Sequence, residues 1–178
     1  FFAGRFDELK NPLRALRCAL KIHNAGHSFH LDLFGDGALR QTMEEFVREN
    51  GMEDYVSFKG YISDLSAYAD HDLMWNTSDV EGFGMTIIES KAFGIPTVSY
   101  RWSDGINEII TQGEDGFIAD TEDEIVDYTV KLMENPMLLR KMKMTAGRSF
   151  LNYNADHAVE QWEDIFDSFE AIKAAPAK

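Results

Sequence analysis

The chain has 178 residues, of which 44% are hydrophobic and 12% aromatic, and its formal net charge is −14 at pH 7. These values predict one globular domain and exclude a largely disordered chain. The charge argues against nucleic acid and against direct contact with an anionic membrane as partners. Cys18 is the only cysteine, so we expect no internal disulfide, a packed thiol and a reducing compartment, the cytoplasm.

Short apolar runs along the chain predict six strands. They are Phe1–Ala3, Phe29–Phe34, Val56–Phe58, Leu73–Asn76, Pro96–Tyr100 and Phe117–Ala119. Amphipathic segments between and after them predict helices. These are Pro12–Ala25, Ala38–Asn50, Leu65–Ala69, one that follows Glu81, Asn107–Ile110, Asp123–Glu134, Pro136–Tyr153 and Ala155–Lys173, and residues 174–178 form a frayed tail.

This alternation of strands and helices predicts an α/β fold. It is typical of a Rossmann-like, doubly wound parallel sheet of about six strands with helices on both faces, followed here by C-terminal helices. Ligands bind such sheets at the carboxyl ends of the strands. The glycine-rich turns of this chain all follow predicted strands, so we expect a ligand site along that edge.

The most informative stretch runs from Glu81 to Glu89, where two carboxylates flank a Gly-x-Gly turn at the start of a predicted helix. Glycines allow a backbone to approach a ligand closely. A helix start presents free N–H groups and a partial positive charge to an anion. The carboxylates supply acceptors for sugar hydroxyls. Taken singly, Glu81 would be a loop carboxylate and Glu89 an exposed helix residue.

Two cations, Arg5 and Lys10, follow the first strand of this acidic chain. A guanidinium can hold a phosphate through two parallel hydrogen bonds, and an ammonium adds a point charge. Together they indicate an anion site at the end of this strand. An ordinary ion pair of Arg5 with Asp7 or Glu8 is an equally open reading.

Two further turns contribute to the same edge. Gly35-Asp36-Gly37 follows the second strand, but Arg40 occupies the third glycine position of a dinucleotide fingerprint, so that fingerprint fails. Tyr61 and Ile62 follow the third strand, and from the residues alone Tyr61 can be an aromatic side chain at the edge of the core.

Other clusters have simpler explanations. The spacing of His23, His27 and His30 suggests a metal, but no cysteine or carboxylate completes a ligand set, so we expect none. The acids from Glu114 to Asp127 match no calcium loop and predict a solvated loop and an acid-rich helix start.

The passage from Ser78 to Glu89, continued through Gly94-Ile95-Pro96 to Val98, resembles the donor-site signature of the family 4 retaining glycosyltransferases. These are two-domain enzymes of the GT-B fold that use nucleotide sugars. The resemblance runs from about residue 2 to residue 116. It implies that residues 1–173 form the donor-binding half of a GT-B fold, and that the acceptor-binding half precedes Phe1.

The resemblance also implies roles for individual residues. Arg5 and Lys10 contact the donor pyrophosphate, Glu81 meets the donor sugar, and Glu89 accepts hydrogen bonds from ribose hydroxyls. Glu108 supports its loop. The backbone N–H groups of Gly82, Phe83 and Gly84 face the sugar and phosphate, and Met85 and Thr86 bind the donor beside them. Gly35 forms a wall of the site. Tyr61 or Ile62 lies against a uracil-like base.

The implied reaction is transfer of a sugar, with retained configuration and without a metal, from a nucleoside diphosphate to a saccharide or lipid-linked acceptor. A UDP-sugar is the expected donor. The implied setting is cytoplasmic, at the inner membrane face through the other domain, and we expect the isolated chain to be inactive. Two alternatives stay open: another GT-B enzyme such as a nucleotide-sugar epimerase, and a non-catalytic Rossmann-like nucleotide-binding module.

Overall fold

A computed structural model describes residues 1–153, 159 and 162–167. Six strands form one sheet in the spatial order β3-β2-β1-β4-β5-β6, and every neighbouring pair is parallel. The predicted Rossmann-like sheet is therefore confirmed. The strands are β1 (Phe2–Ala3), β2 (Leu31–Phe34), β3 (Val56–Gly60), β4 (Met74–Asn76), β5 (Thr97–Tyr100) and β6 (Gly116–Ala119).

Within residues 1–153, five α-helices connect and follow the strands. They are α1 (Pro12–Asn24), α2 (Arg40–Glu49), α3 (Met85–Ala92), α4 (Glu122–Glu134) and α5 (Pro136–Ser149), with 3₁₀ turns at Leu65–Tyr68, Asp104–Glu108 and Phe150–Tyr153. None of the described helices is long and apolar enough to cross a bilayer.

Three of the predicted helices differ from those observed, and the first of them, predicted at Leu65–Ala69, is a 3₁₀ turn over Leu65–Tyr68. The helix predicted at Asn107–Ile110 is a 3₁₀ turn that begins at Asp104, because the Ser103 hydroxyl accepts a hydrogen bond from the Gly105 N–H at 3.1 Å and caps it there. The last predicted turn of α5 is also 3₁₀. Residues 159 and 162–167 of the final predicted helix are helical, and the rest of it and the predicted frayed tail lie outside the described residues.

Apolar side chains cover both faces of the sheet. Successive strand residues point to opposite faces, and accordingly Phe2 and Ala3 belong to different buried clusters. The cluster around Phe2 includes residues of α1, α2 and α4. Residues of α3 form a separate cluster with Ile118 of β6. Burial of one large apolar side chain contributes about 1.5–3 kcal/mol, so these clusters hold the strand ends in place.

The strand order places the site. Strand β1 lies between β2 and β4. The chain therefore adds β2 and β3 on one side of β1 and then β4, β5 and β6 on the other side. Ligands bind at such a reversal, outside the carboxyl ends of the two strands. The loops after β1 and β4 therefore meet there.

Candidate functional site

An ion pair joins the loops that follow β1 and β4. Lys10 Nζ lies 2.6 Å from Glu81 Oε2, and the Glu81 side chain is only 7% exposed. Its other oxygen accepts hydrogen bonds from Ser78 Oγ at 2.7 Å and from Asn76 Nδ2 at 3.2 Å. The ammonium has three donors, and its side chain is 23% exposed. Lys10 is therefore held in place with donors left for a ligand.

Further hydrogen bonds tie these two loops together. The Asp79 N–H donates to Leu9 O at 2.8 Å, and Thr77 Oγ1 donates to Asn11 O at 3.0 Å. Asn11 Nδ2 donates to Asp79 Oδ2 at 2.9 Å. Sequence reasoning missed this set, because its partners are distant along the chain. The one local signal was Asn11 before Pro12, a pattern that favours a helix cap.

The start of α3 presents a row of unpaired amides. Gly84 caps the helix in the left-handed conformation, at φ 77°, and no side chain caps it. Within the described residues, the backbone N–H groups from Gly82 to Thr86 have no hydrogen-bond acceptor. A Cβ on Gly82 would meet no atom within 4 Å, so packing does not require a glycine there. Open space beside free amides is what an anionic ligand needs.

Glu89 lies on α3 as a half-buried carboxylate. Burial raises its pKa above the usual 4.5. Its charge acts on Tyr68, whose pKa burial and then Glu89 raise to about 12. No side chain or backbone group in the described part of the chain donates a hydrogen bond to Glu89. It can therefore accept hydrogen bonds from a ligand.

Arg5 forms the ion pair with Asp7 that the sequence analysis left open as an alternative to an anion site. Its guanidinium lies 3.1 Å from Asp7 Oδ2, and its side chain is 67% exposed. The structure therefore brings Lys10, but not Arg5, into contact with Glu81. A surface pair of this kind contributes about 0–1 kcal/mol, so Arg5 can leave Asp7 at little cost.

Gly35 packs the loop after β2 against the loop after β1. At its φ of 138°, a Cβ would lie 1.9 Å from Gly4 O, which no side chain tolerates. The Gly35 N–H donates to Gly60 O at 2.7 Å. The exits of β1, β2 and β3 are therefore in direct contact.

The two predicted residues after β3 have different environments. Tyr61 is 76% exposed, so the core-edge alternative is wrong for this ring. Ile62 is partly buried against the cluster that contains Phe34 and Tyr68. Glu108 is exposed, and its carbonyl accepts a hydrogen bond from Tyr153 Oη at 2.8 Å.

One prediction for the acidic segment is wrong. Asp115 is 2% exposed rather than solvated, because Lys91 Nζ lies 2.6 Å from its carboxylate. Lys91 is fully buried and also donates to Ile109 O and to Ser149 Oγ. A buried charge requires such partners. Lys91 therefore anchors α3 to the chain before β6 and to the end of α5.

Cys18 and His23 have packing roles. The predicted packed thiol is confirmed: Cys18 is fully buried, and burial and then Glu122 raise its pKa to about 12. His23 stacks on Tyr55 with ring centres 4.2 Å apart. Among the residues described, no group of histidines, cysteines and carboxylates could hold a metal ion.

Comparison with known proteins identifies relatives of the chain. The family model described as "Glycosyl transferases group 1" matches residues 1–149. The chain is 27% identical over 176 residues to an exopolysaccharide phosphotransferase of Streptomyces coelicolor, covering 96% of this chain and 18% of that protein. It is 28% identical over 165 residues to the GalNAc-α-(1→4)-GalNAc-α-(1→3)-diNAcBac-PP-undecaprenol α-1,4-N-acetyl-D-galactosaminyltransferase of Campylobacter jejuni, covering 90% of this chain and 45% of that one.

A solved structure shares the fold. The pneumococcal O-GlcNAc transferase GtfA, crystallised with UDP and GlcNAc, superposes with a TM-score of 0.83 at 20% identity. The match covers 94% of this chain and 35% of that one. The chain therefore spans less than half the length of each of these three proteins.

Proposed function

The chain belongs to the group 1 glycosyl transferase family, and we propose that it binds the nucleoside-diphosphate sugar from which the whole enzyme transfers a sugar. The observation that supports this most is the Lys10–Glu81 pair beside the free amides at the start of α3. A cation and unpaired amides suit a diphosphate, and carboxylates beside them suit hydroxyls.

Each residue has a role in this proposal. The Lys10 ammonium and the amides from Gly82 to Thr86 neutralise charge on the leaving diphosphate. Each charge-assisted contact contributes about 1.5–3 kcal/mol. Arg5 leaves Asp7 and adds a second cation. Glu89 accepts from the ribose, and Glu81 accepts from the sugar at the lone pair of Oε2 that Lys10 leaves free.

The finer assignments follow from the resemblance. We propose a family 4 enzyme that retains the anomeric configuration, uses a UDP-sugar and transfers to a saccharide or lipid-linked acceptor. The second domain of the whole protein holds the acceptor. We assign no catalytic base among the described residues, because the reaction proceeds on one face of the sugar. One buried cysteine supports a cytoplasmic setting.

Calorimetry with UDP, GDP and ADP tests the proposed binding. We expect heat with UDP, and an affinity about 10–100-fold lower in Lys10→Met, because one charge-assisted contact is lost. Lys141→Met is the matched control, since Lys141 is exposed on α5. Absence of heat with every nucleotide would overturn the proposal.

A second assay tests the reaction. The 178-residue chain is incubated with UDP-sugars and a saccharide acceptor, and the products are separated. We expect little or no transfer, because we propose that a second domain of the whole protein holds the acceptor. Appreciable transfer would contradict that expectation, and an epimerised nucleotide sugar would favour the alternative enzyme class.

A further inference from the structure

Arg14 is a buried cation beneath the site. It is the third residue of α1 and is 9% exposed. A buried charge is costly unless several partners compensate it. The partners of its guanidinium lie at the carboxyl edge of the sheet or at the start of α4.

One guanidinium joins several of the loops around the site. Arg14 Nη1 donates to Thr77 O at 2.7 Å, and Nη2 donates to Asp79 Oδ1 at 2.8 Å. The guanidinium carbon lies 3.6 Å from the ring centre of Tyr100, at the end of β5. Nε lies 4.0 Å from Glu122 Oε1, at the start of α4. Arg14 therefore connects the helix after β1 to the exits of β4 and β5.

Arg14 contacts the two residues that hold the Lys10 loop. The Thr77 hydroxyl, which donates to Asn11 O at 3.0 Å, shares its hydrogen with Lys10 O at 3.3 Å. The Asp79 N–H donates to Leu9 O at 2.8 Å. Glu81 follows on the same loop and pairs with Lys10. We infer that Arg14 is a positioning residue, which fixes residues 77–79 so that Lys10 meets Glu81 and faces the donor diphosphate. This inference rests on the proposed function, and Arg14 itself does not contact the donor.

The same helix offers a matched control. Arg17 lies three residues further along α1, and its Nε donates to Glu122 Oε1 at 2.9 Å. It makes no contact with residues 77–79 among those described. Arg14→Met and Arg17→Met therefore remove the same charge from neighbouring positions, but only the first releases the Glu81 loop.

Calorimetry with UDP measures the effect in five proteins: wild type, Arg14→Met, Arg17→Met, Lys10→Met and the Arg14→Met/Lys10→Met double variant. We expect Arg14→Met to lower the affinity about tenfold and Arg17→Met less than about twofold. In the Lys10→Met background, Arg14→Met should lower it no further, because Arg14 acts through Lys10.

Two outcomes would overturn the inference. One is an equal loss of affinity in Arg14→Met and Arg17→Met, which would indicate a general charge effect. The other is a loss that adds fully to that of Lys10→Met, which would indicate action independent of Lys10. If Arg14→Met does not fold, Asp79→Asn removes the same ionic contact from the exposed side and should give the same pattern.

A crystal structure of Arg14→Met separates this inference from the proposed function. We expect the Lys10–Glu81 separation to exceed the 2.6 Å of the wild type. An unchanged pair would overturn the positioning role, whether or not UDP binds. Absence of UDP binding by the wild type would overturn the proposed function instead.

Discussion

Lys10 Nζ lies 2.6 Å from Glu81 Oε2, although the two residues belong to loops that leave different strands. Glu81 is nearly buried, whereas Lys10 retains access to solvent. The carboxylate thus depends on the ammonium for part of its compensation, while the ammonium can also serve a ligand. This asymmetry separates stability from binding in the variants below.

The pair predicts that a second substitution, at Glu81, restores stability but not UDP binding. Lys10→Met should lower the free energy of unfolding by about 1–3 kcal/mol, because it leaves a buried carboxylate oxygen without its cation. Adding Glu81→Gln removes the unpaired charge and should recover most of that loss, as measured by urea unfolding. UDP affinity should remain low in the double variant. Its recovery there would show that Lys10 does not bind the diphosphate.

Glu89 predicts a dependence of stability on pH. Burial raises its folded-state pKa above 4.5, so its ionisation costs more in the folded than in the unfolded protein. This group therefore favours folding below pH 4.5 and loses that contribution as the pH rises through the folded-state pKa. Glu89→Gln should raise the thermal midpoint relative to wild type at about pH 7, and the difference should vanish in acid.

The same Glu89 variant should bind UDP more weakly, because the ribose loses a charged acceptor. Glu53→Gln serves as the control, since Glu53 is exposed near the start of β3. A Glu89→Gln protein that binds UDP as well as wild type would remove Glu89 from the site, and one that is less stable at neutral pH would contradict the burial effect.

Substitution by alanine should affect binding at one glycine and stability at another. The added methyl of Gly82→Ala meets open space, so we expect an unchanged thermal midpoint but weaker binding of UDP-sugars, as the methyl occupies the ligand's side of the loop. Gly35→Ala places a methyl 1.9 Å from Gly4 O, so the thermal midpoint should fall markedly. Calorimetric scans and UDP-sugar titrations of both variants measure this. Unchanged binding by Gly82→Ala would mean that the ligand does not approach this backbone.

The buried Lys91–Asp115 pair predicts a large loss of stability. Lys91→Met should lower the free energy of unfolding by about 3–5 kcal/mol, because Asp115 is then buried without its cation. Asp115→Asn in the same protein retains the oxygen that accepts from the Thr111 N–H and removes the charge, so it should restore part of the loss. Urea unfolding of the single and double variants decides this. A double variant less stable than Lys91→Met would contradict the explanation.

The order of strands and helices could be predicted from the sequence. Hydrophobic periodicity and glycine or proline positions depend on neighbouring residues, so the six strands and the helix after Gly84 were placed from local patterns. Lys10 and Glu81 were placed at strand ends for the same reason. The prediction for the segment after β5 is less accurate. Its turn begins at Asp104 rather than at Asn107, because the Ser103 side chain caps it there.

The sequence by itself determined the parallel α/β architecture and the chemical types at the strand ends, since both follow from local patterning. Only the tertiary structure decided which of those groups meet. Arg14, Thr77 and Asp79 are brought together because β4 lies beside β1, and Asp115 is buried because Lys91 on α3 reaches it. Arg5 pairs with Asp7 instead. Contacts between distant residues depend on strand order and helix packing, and no local pattern encodes these.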